Sequence, residues 1–181
     1  TKEVIDFVKN NKHQCVLGNH DYHMSQLLKS ALQGEKFKWN TNDDYAGYTT
    51  VSSYSDVDEQ IVDDHIEWMS NLPKYLEIDN FFITHGFGLP YYKRRDKFDY
   101  QLRVNRLSSS KYISDWEKDW QDYKVINIFG HDSSNEVFVG KNYYGIDTGC
   151  KYSNKLTAIE LGSMEIIQVK TNIKDIKNLE E

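Results

Sequence analysis

The stretch Val125-Ile126-Asn127-Ile128-Phe129-Gly130-His131 decides the reading of this chain. It is an apolar run of strand length that ends in a glycine and a histidine. The pattern occurs twice more upstream. Phe81-Phe82-Ile83-Thr84 leads into His85-Gly86, and Gln14-Cys15-Val16-Leu17 leads into Gly18-Asn19-His20-Asp21. A hydrophobic strand with ligand-type residues just past its carboxyl end is how α/β proteins present a site at the edge of a sheet. Any one of these residues alone is an ordinary loop or turn residue. Three such elements at wide spacing point to one shared crevice. Asn19, His85 and His131 would offer it an amide oxygen and two imidazoles, donors that suit manganese, iron or zinc.

Around these elements the chain alternates helix and strand early and turns to strands late. Apolar residues three and four apart predict a helix over Thr1 to Asn11, with Val4, Ile5 and Val8 on one face. The same period predicts Tyr22 to Leu32 through Met24, Leu27, Leu28 and Ala31. It also predicts Val57 to Ser70 through Ile61, His65 and Trp68, with Ser55 or Asp56 as cap and Pro73 as stop. Tyr75–Ile78 and Phe81–Thr84 read as a hairpin about Asp79-Asn80. Further strands are expected at 125–129, 136–139, 142–146, 155–161 and 164–170, the last two joined by a two-residue turn at Gly162-Ser163. Segment 34–55 has no clean period, 88–120 is irregular and then helical, and 171–181 is a polar tail. With no repeat and no linker, the expectation is a single α/β domain over 1–181 built on a mixed sheet.

Composition excludes several classes. The chain has 181 residues, 39% hydrophobic and 28% charged, enough for one domain with a core. A net charge of -6 argues against nucleic acid as a partner, since a phosphate backbone needs a basic face. Lys93-Arg94-Arg95, Arg103 and Arg106 are local exceptions. No apolar run approaches the roughly 20 residues of a membrane helix. No secretory leader is in view, and Cys15 and Cys150 read as free thiols of a reducing cytoplasm. The chain begins with Thr1, so a natural start upstream is expected.

At this point the residues resemble a known family. Gly18-Asn19-His20-Asp21, His85-Gly86 and Gly130-His131 are similar to the later motifs of the calcineurin-like metallophosphoesterases. Gly145-Ile146-Asp147-Thr148-Gly149-Cys150, followed by Lys155 to Leu161, narrows the resemblance to the phosphoprotein phosphatase branch. Within it, the bacterial serine/threonine phosphatases and the symmetrical diadenosine tetraphosphatases are the most similar. The resemblance spans the first helix to about Val169. It implies an αββα four-layer fold, a mixed-sheet sandwich flanked by helices. It also implies a hydrolase of phosphate esters that uses two divalent metal ions, manganese first, with iron or zinc as alternatives.

Carried onto this sequence, the resemblance implies that Asn19, His85 and His131 hold one metal of the pair. His20 would protonate the leaving-group oxygen, and Arg106 would grip the phosphoryl group, with Asn19 and His20 beside it. Otherwise Arg106 is a solvated surface arginine. Asp132 stands where the eukaryotic enzymes commonly carry threonine. The family also carries a Gly-Asp-x-His and a Gly-Asp-x-x-Asp-Arg-Gly motif, and neither occurs here. The chain therefore resembles the family fold without its amino-terminal strands. On that expectation activity belongs to the full-length protein, while residues 1–181 alone are inactive and poorly soluble or oligomeric. The expected substrate is a phosphorylated protein or a nucleotide. The contrasting reading is a non-catalytic relative that holds phosphate or a partner.

The remaining candidates read as structure. Asp21 is expected to cap the helix that follows it. His65 lies on an apolar helical face and reads as a core histidine, while His13 and His23 read as surface. Lys93-Arg94-Arg95 reads as a solvated loop, though it could hold a second phosphate. Trp39, Tyr45, Tyr48, Tyr54, Trp116 and Trp120 read as packing residues that could instead stack a base. Asp43-Asp44 and Asp63-Asp64 read as solvated charge pairs.

Overall fold

The structure, a computed structural model, describes residues 2–34, 52–109 and 119–172. Trp39, Asp43, Asp44, Tyr45, Tyr48, Trp116 and the tail from 173 onward lie outside the described residues. The chain divides into two compact units, Thr1–Lys74 and Tyr75–Glu181.

The amino-terminal unit is helical. Helix α1 spans Lys2–Asn10 and is supported by the Lys2–Asp6 pair at 2.6 Å, one turn apart. It ends where Lys12 takes a left-handed backbone and its N–H returns to the Lys9 carbonyl at 3.0 Å. Helix α2 spans Asn19–Leu32. It therefore starts three residues earlier than its apolar period predicts. Gly18 precedes it in an extended conformation, and the Asp21 carboxylate reaches back to accept the Gly18 N–H at 2.9 Å. Helix α3 spans Glu59–Ser70, capped by Asp58 through the Gln60 N–H at 2.8 Å rather than by Ser55 or Asp56.

Ile5, Met24, Leu27, Leu28, Tyr54, Val62 and Met69 form the core of this unit. The buried face of α3 is thus Val62, His65 and Met69, while Ile61 is exposed. On α1 only Ile5 is buried, and Val4 and Phe7 face solvent. Residues 14–17 form no ladder among the described residues, contrary to the expected strand. They are held by the backbone bond from Leu17 N–H to the Pro73 carbonyl at 2.8 Å. Both cysteines are free and half-buried.

The carboxy-terminal unit is built on a five-stranded mixed sheet. Its strands are β1 (Tyr75–Ile78), β2 (Phe81–Thr84), β3 (Ile126–Phe129), β4 (Phe138–Val139) and β5 (Tyr143–Gly145). Their spatial order is β1-β2-β3-β5-β4. β1 and β2 form the expected hairpin, with Asp79 in the left-handed conformation that a tight turn demands. β2, β3 and β5 run parallel, with Ile83 opposite Ile128 and Phe129 opposite Gly145. Their carboxyl ends therefore lie side by side. Helix α4 spans Asp99–Val104, preceded by a 3₁₀ segment over Leu89–Lys97.

Two apolar groups fill the unit. Phe87, Leu89, Trp120 and Phe129 form one, and Phe82, Tyr91 and Leu102 the other. Trp120 packs edge-on to Phe87 at 5.4 Å between ring centroids, which bears out packing for that residue. Lys93-Arg94-Arg95 is paired rather than merely solvated. Lys93 meets Asp119 at 2.6 Å, Arg95 meets Glu77 at 3.0 Å, and Arg94 lies over the Phe98 ring.

A separate two-stranded sheet joins β6 (Lys155–Ile159) to β7 (Ile166–Lys170). Gly162-Ser163 is not a two-residue turn. Ile159 pairs with Ile166, so the loop runs over 160–165. Glu160 closes it by accepting the N–H groups of Gly162 and Ser163, and Met164 turns left-handed. Leu156, Ala158, Ile167 and Val169 share one face of this hairpin, with Leu156 and Val169 each 64% exposed. Among the described residues no helix is long and apolar enough to cross a membrane.

Candidate functional site

The parallel pairing of β2 with β3 carries His85 and His131 to neighbouring strand ends. The ladder continues one step beyond the strands, with Gly130 N–H bonded to the His85 carbonyl at 2.9 Å. Beyond it the two imidazoles lie beside each other, tilted by 55°, with 5.2 Å between ring centroids. Asp147 follows the third parallel strand, β5. Its carbonyl accepts the Ser134 N–H at 3.1 Å, and its carboxylate accepts the Gly149 N–H at 3.1 Å. A ligand-type residue thus follows the carboxyl end of each of three adjacent parallel strands, where open α/β sheets place their sites, and two of the three, His85 and His131, lie ring beside ring.

The His85 loop is clamped from two sides. On one side Gly86 N–H donates to the Leu102 carbonyl at 2.7 Å, Phe87 N–H donates to the Asn105 carbonyl at 2.8 Å, and Asn105 Nδ2 donates to the Phe87 carbonyl at 2.7 Å. A Cβ at position 86 would come within 2.8 Å of the Asn105 carbonyl oxygen, so only glycine fits this crossing. On the other side sits Asn127, fully buried in the middle of β3. Its Oδ1 accepts from Gly88 N–H at 2.9 Å and Leu89 N–H at 3.2 Å. Its Nδ2 donates to the Phe82 carbonyl at 2.7 Å and to Thr84 Oγ1 at 2.9 Å. Thr84 in turn donates to the Gly86 carbonyl at 2.6 Å. A buried amide with every function satisfied fixes geometry rather than reacting.

His131 itself is strained. Its φ of 65° lies in the left-handed region, uncommon outside glycine. The turn is tight, with Asp132 N–H bonded to the Gly130 carbonyl at 2.7 Å. Burial pushes the His131 pKa down to about 4, aided by the nearby positive Arg106 and by His85, against the opposing carboxylates of Asp132 and Asp147. His131 is therefore neutral at physiological pH, the form in which an imidazole binds metal.

Arg106 and Asp132 border this pair. Asp132 is 5% exposed, and its Oδ1 lies 3.7 Å from Arg106 Nη1. Both of its oxygens also hold Ser108, Oδ2 accepting the backbone N–H and Oδ1 the hydroxyl, each at 2.9 Å. Arg103 is buried within α4 and paired with Asp99 at 3.4 Å, which removes it as an alternative to Arg106.

The other expected site residues belong to the amino-terminal unit. Asn19 is half-buried and His20 exposed, both in the first turn of α2 rather than in a loop past a strand. His65 is 2% exposed, as expected of a core histidine. Its Nδ1 faces the Tyr54 hydroxyl at 2.9 Å and its Nε2 faces Asp6 at 3.1 Å. Burial lowers its pKa, so the neutral ring with hydrogen on Nε2 satisfies both contacts.

Of the metal pair that the resemblance implies, the donor set meets one part. His85 and His131 supply one imidazole each, their ring centroids 5.2 Å apart, which fits part of the sphere of one divalent ion. Among the described residues no group of three or more His, Cys, Asp or Glu is gathered, so these side chains do not by themselves provide for a second ion. Asn105, Asn127, Asp132 and Ser108 were not singled out as site residues by the sequence. A lone asparagine within an apolar strand is the one signal that could have flagged Asn127.

No family model matches the chain, and no curated protein matches it. Among solved structures it is similar to the crystal structure of a "putative diadenosine tetraphosphatase". The TM-score is 0.66 and the identity 18%, with 94% of this chain and 74% of that chain covered. The likeness shows the fold, a mixed α/β architecture.

Proposed function

We propose that this protein is a metal-dependent phosphoesterase in which His85 and His131 hold part of the coordination sphere of a divalent ion. One observation carries the reading: two imidazoles lie beside each other, tilted, at the ends of adjacent parallel strands, and one of them is kept neutral by its surroundings. Asn19 would add an amide oxygen, and manganese, iron or zinc suits such donors. When bound, a divalent ion supplies an activated water and holds phosphoryl oxygens. The rest falls to the chain. Arg106 pairs with the phosphoryl oxygens, for which a planar guanidinium is suited. His20 donates a proton to the leaving oxygen. The two-ion form needs carboxylates beyond those gathered here.

The substrate is a phosphoester dianion of a phosphoprotein or a nucleotide, met in the cytoplasm. The similarity to a structure named for diadenosine tetraphosphate favours a dinucleoside polyphosphate as the second reading. The sparse set of anionic donors favours a third, a relative that holds phosphate without hydrolysing it.

Hydrolysis of p-nitrophenyl phosphate by the full-length protein with Mn²⁺ tests the first reading. Turnover is expected to vanish on chelation and in both His85→Ala and His131→Ala. Undiminished turnover in either variant overturns it. His20→Asn is expected to lower turnover by roughly 10²–10⁴ with bound manganese unchanged. Loss of the metal instead would make His20 a ligand.

A further inference from the structure

We propose that Asp132 is a positioning residue that fixes Arg106 beside the His85–His131 pair, an inference that rests on the phosphoesterase reading above. The observations are geometric. Asp132 immediately follows His131, whose left-handed turn leads straight into it. The carboxylate is buried, and both oxygens are committed to Ser108, two residues beyond Arg106. Oδ1 also lies 3.7 Å from Arg106 Nη1. The segment 105–108 is anchored at its other end through Asn105, which bonds the His85 loop by both backbone and side chain. Arg106 therefore sits on a short span pinned at one end to the His85 loop and at the other to the residue after His131. Its place is set relative to both imidazoles at once.

The type of residue matters. A carboxylate has two oxygens, so one group can accept the Ser108 N–H and hydroxyl and still face a cation. A threonine here would have one hydroxyl and no charge. Arg106 is 45% exposed, so its long side chain would otherwise sample many rotamers in water. The guanidinium carries five N–H groups, so an ion pair through one nitrogen is compatible with a bidentate grip on phosphate. Holding the arginine before the ligand arrives lowers the ordering cost of that grip. Asp132 touches no substrate in this scheme; it acts through Arg106.

A double-mutant cycle on inorganic phosphate tests it. Phosphate binding to the manganese-loaded protein is measured by calorimetry for the wild type, Arg106→Ala, Asp132→Ala and the double variant. Arg106→Ala is expected to weaken binding about tenfold or more, the scale of a lost charge-assisted pair. Asp132→Ala is expected to weaken it several-fold, about 3–10-fold, by freeing that pair. The double variant is expected to be no worse than Arg106→Ala alone. Asp132→Asn, which keeps the shape and removes the charge, carries the cycle should Asp132→Ala fold poorly. Ser108→Ala is expected to act in the same direction and more weakly. Equal losses from Asp132 substitution with and without Arg106 overturn the proposal, as does a wild type that binds no phosphate. A coupled cycle without p-nitrophenyl phosphate turnover leaves the positioning intact and removes the hydrolase reading instead. Additive losses in an active enzyme do the reverse.

Discussion

The two units of this molecule each hold histidine in a half-buried or buried place, and they use it in opposite ways. In the helical unit His65 is sealed in, with Tyr54 on one ring nitrogen and Asp6 on the other, so that it ties α1, α3 and the Tyr54 turn together. In the sheet unit His85 and His131 are set ring to ring at the ends of parallel strands, and burial with nearby positive charge disfavours a proton on His131. A histidine bonded by protein on both nitrogens has spent its chemistry on architecture. A histidine kept neutral beside another histidine is prepared for something that neither can supply. Burial and a lowered pKa are common to both, so neither distinguishes them; the identity of the neighbours does.

Exchanging the damage between the two places is the strongest way to break this contrast. His131→Ala is expected to abolish metal-dependent turnover while leaving the thermal midpoint close to wild type. His65→Ala is expected to cost about 2–3 kcal/mol of stability, because Tyr54 and Asp6 lose their partner, yet to keep the turnover of each folded molecule. Parallel assays of activity and chemical unfolding decide it, and a loss of both properties in both variants would erase the distinction. Asn127→Ala probes the join between architecture and site. It strands Gly88 and Leu89 N–H groups in the core, so about 3 kcal/mol of stability and much of the manganese affinity should go together.

Acid sharpens the comparison further. Both His65 and His131 titrate below the ordinary histidine value when folded, and at about 6.5 when unfolded. Below pH 6.5 the unfolded chain takes up protons that the native state refuses, so stability is full above that pH and falls as the pH drops. For His131 the loss runs from about 6.5 to about 4. His65→Gln and His131→Gln should each flatten part of the fall in melting temperature between pH 7 and 5; an unchanged slope in both would assign it to other groups. The smallest effect is expected at Lys93→Ala. Its exposed pair with Asp119 is screened by water, so the unfolding midpoint and the KM for p-nitrophenyl phosphate should both stay within error.

What the sequence disclosed, and what it hid, follows the range of the interactions involved. The β1–β2 hairpin was legible because its turn is local, with Asp79 supplying the left-handed step between two apolar runs. The loop between β6 and β7 was not, because Glu160 reaches forward to cap it and displaces the shorter turn that Gly162-Ser163 suggests. On α3 two apolar stripes both pass through His65, and the period alone could not choose Val62 and Met69 over Ile61 and Trp68. The Gln14–Leu17 run reads as a strand by composition, yet a strand exists only where a neighbour completes its ladder. At the site, His85 and His131 were legible from the strands that precede them. Asp132 was not, since Ser108 lies 24 residues away and nothing local announces that they meet.

The crossing at Gly86 has a consequence for how this protein can vary. Every amino-acid change at a glycine codon adds at least one carbon, and here that carbon would strike the backbone at Asn105. The position has no neighbouring genotype that preserves the crossing. Drift is closed there for steric reasons, even though glycine performs no chemistry. His85 is different: it already carries a Cβ, so no such backbone collision bars another side chain there, and its constraint would come from use. A lineage that lost the activity would be free to change the histidine first and the glycine last.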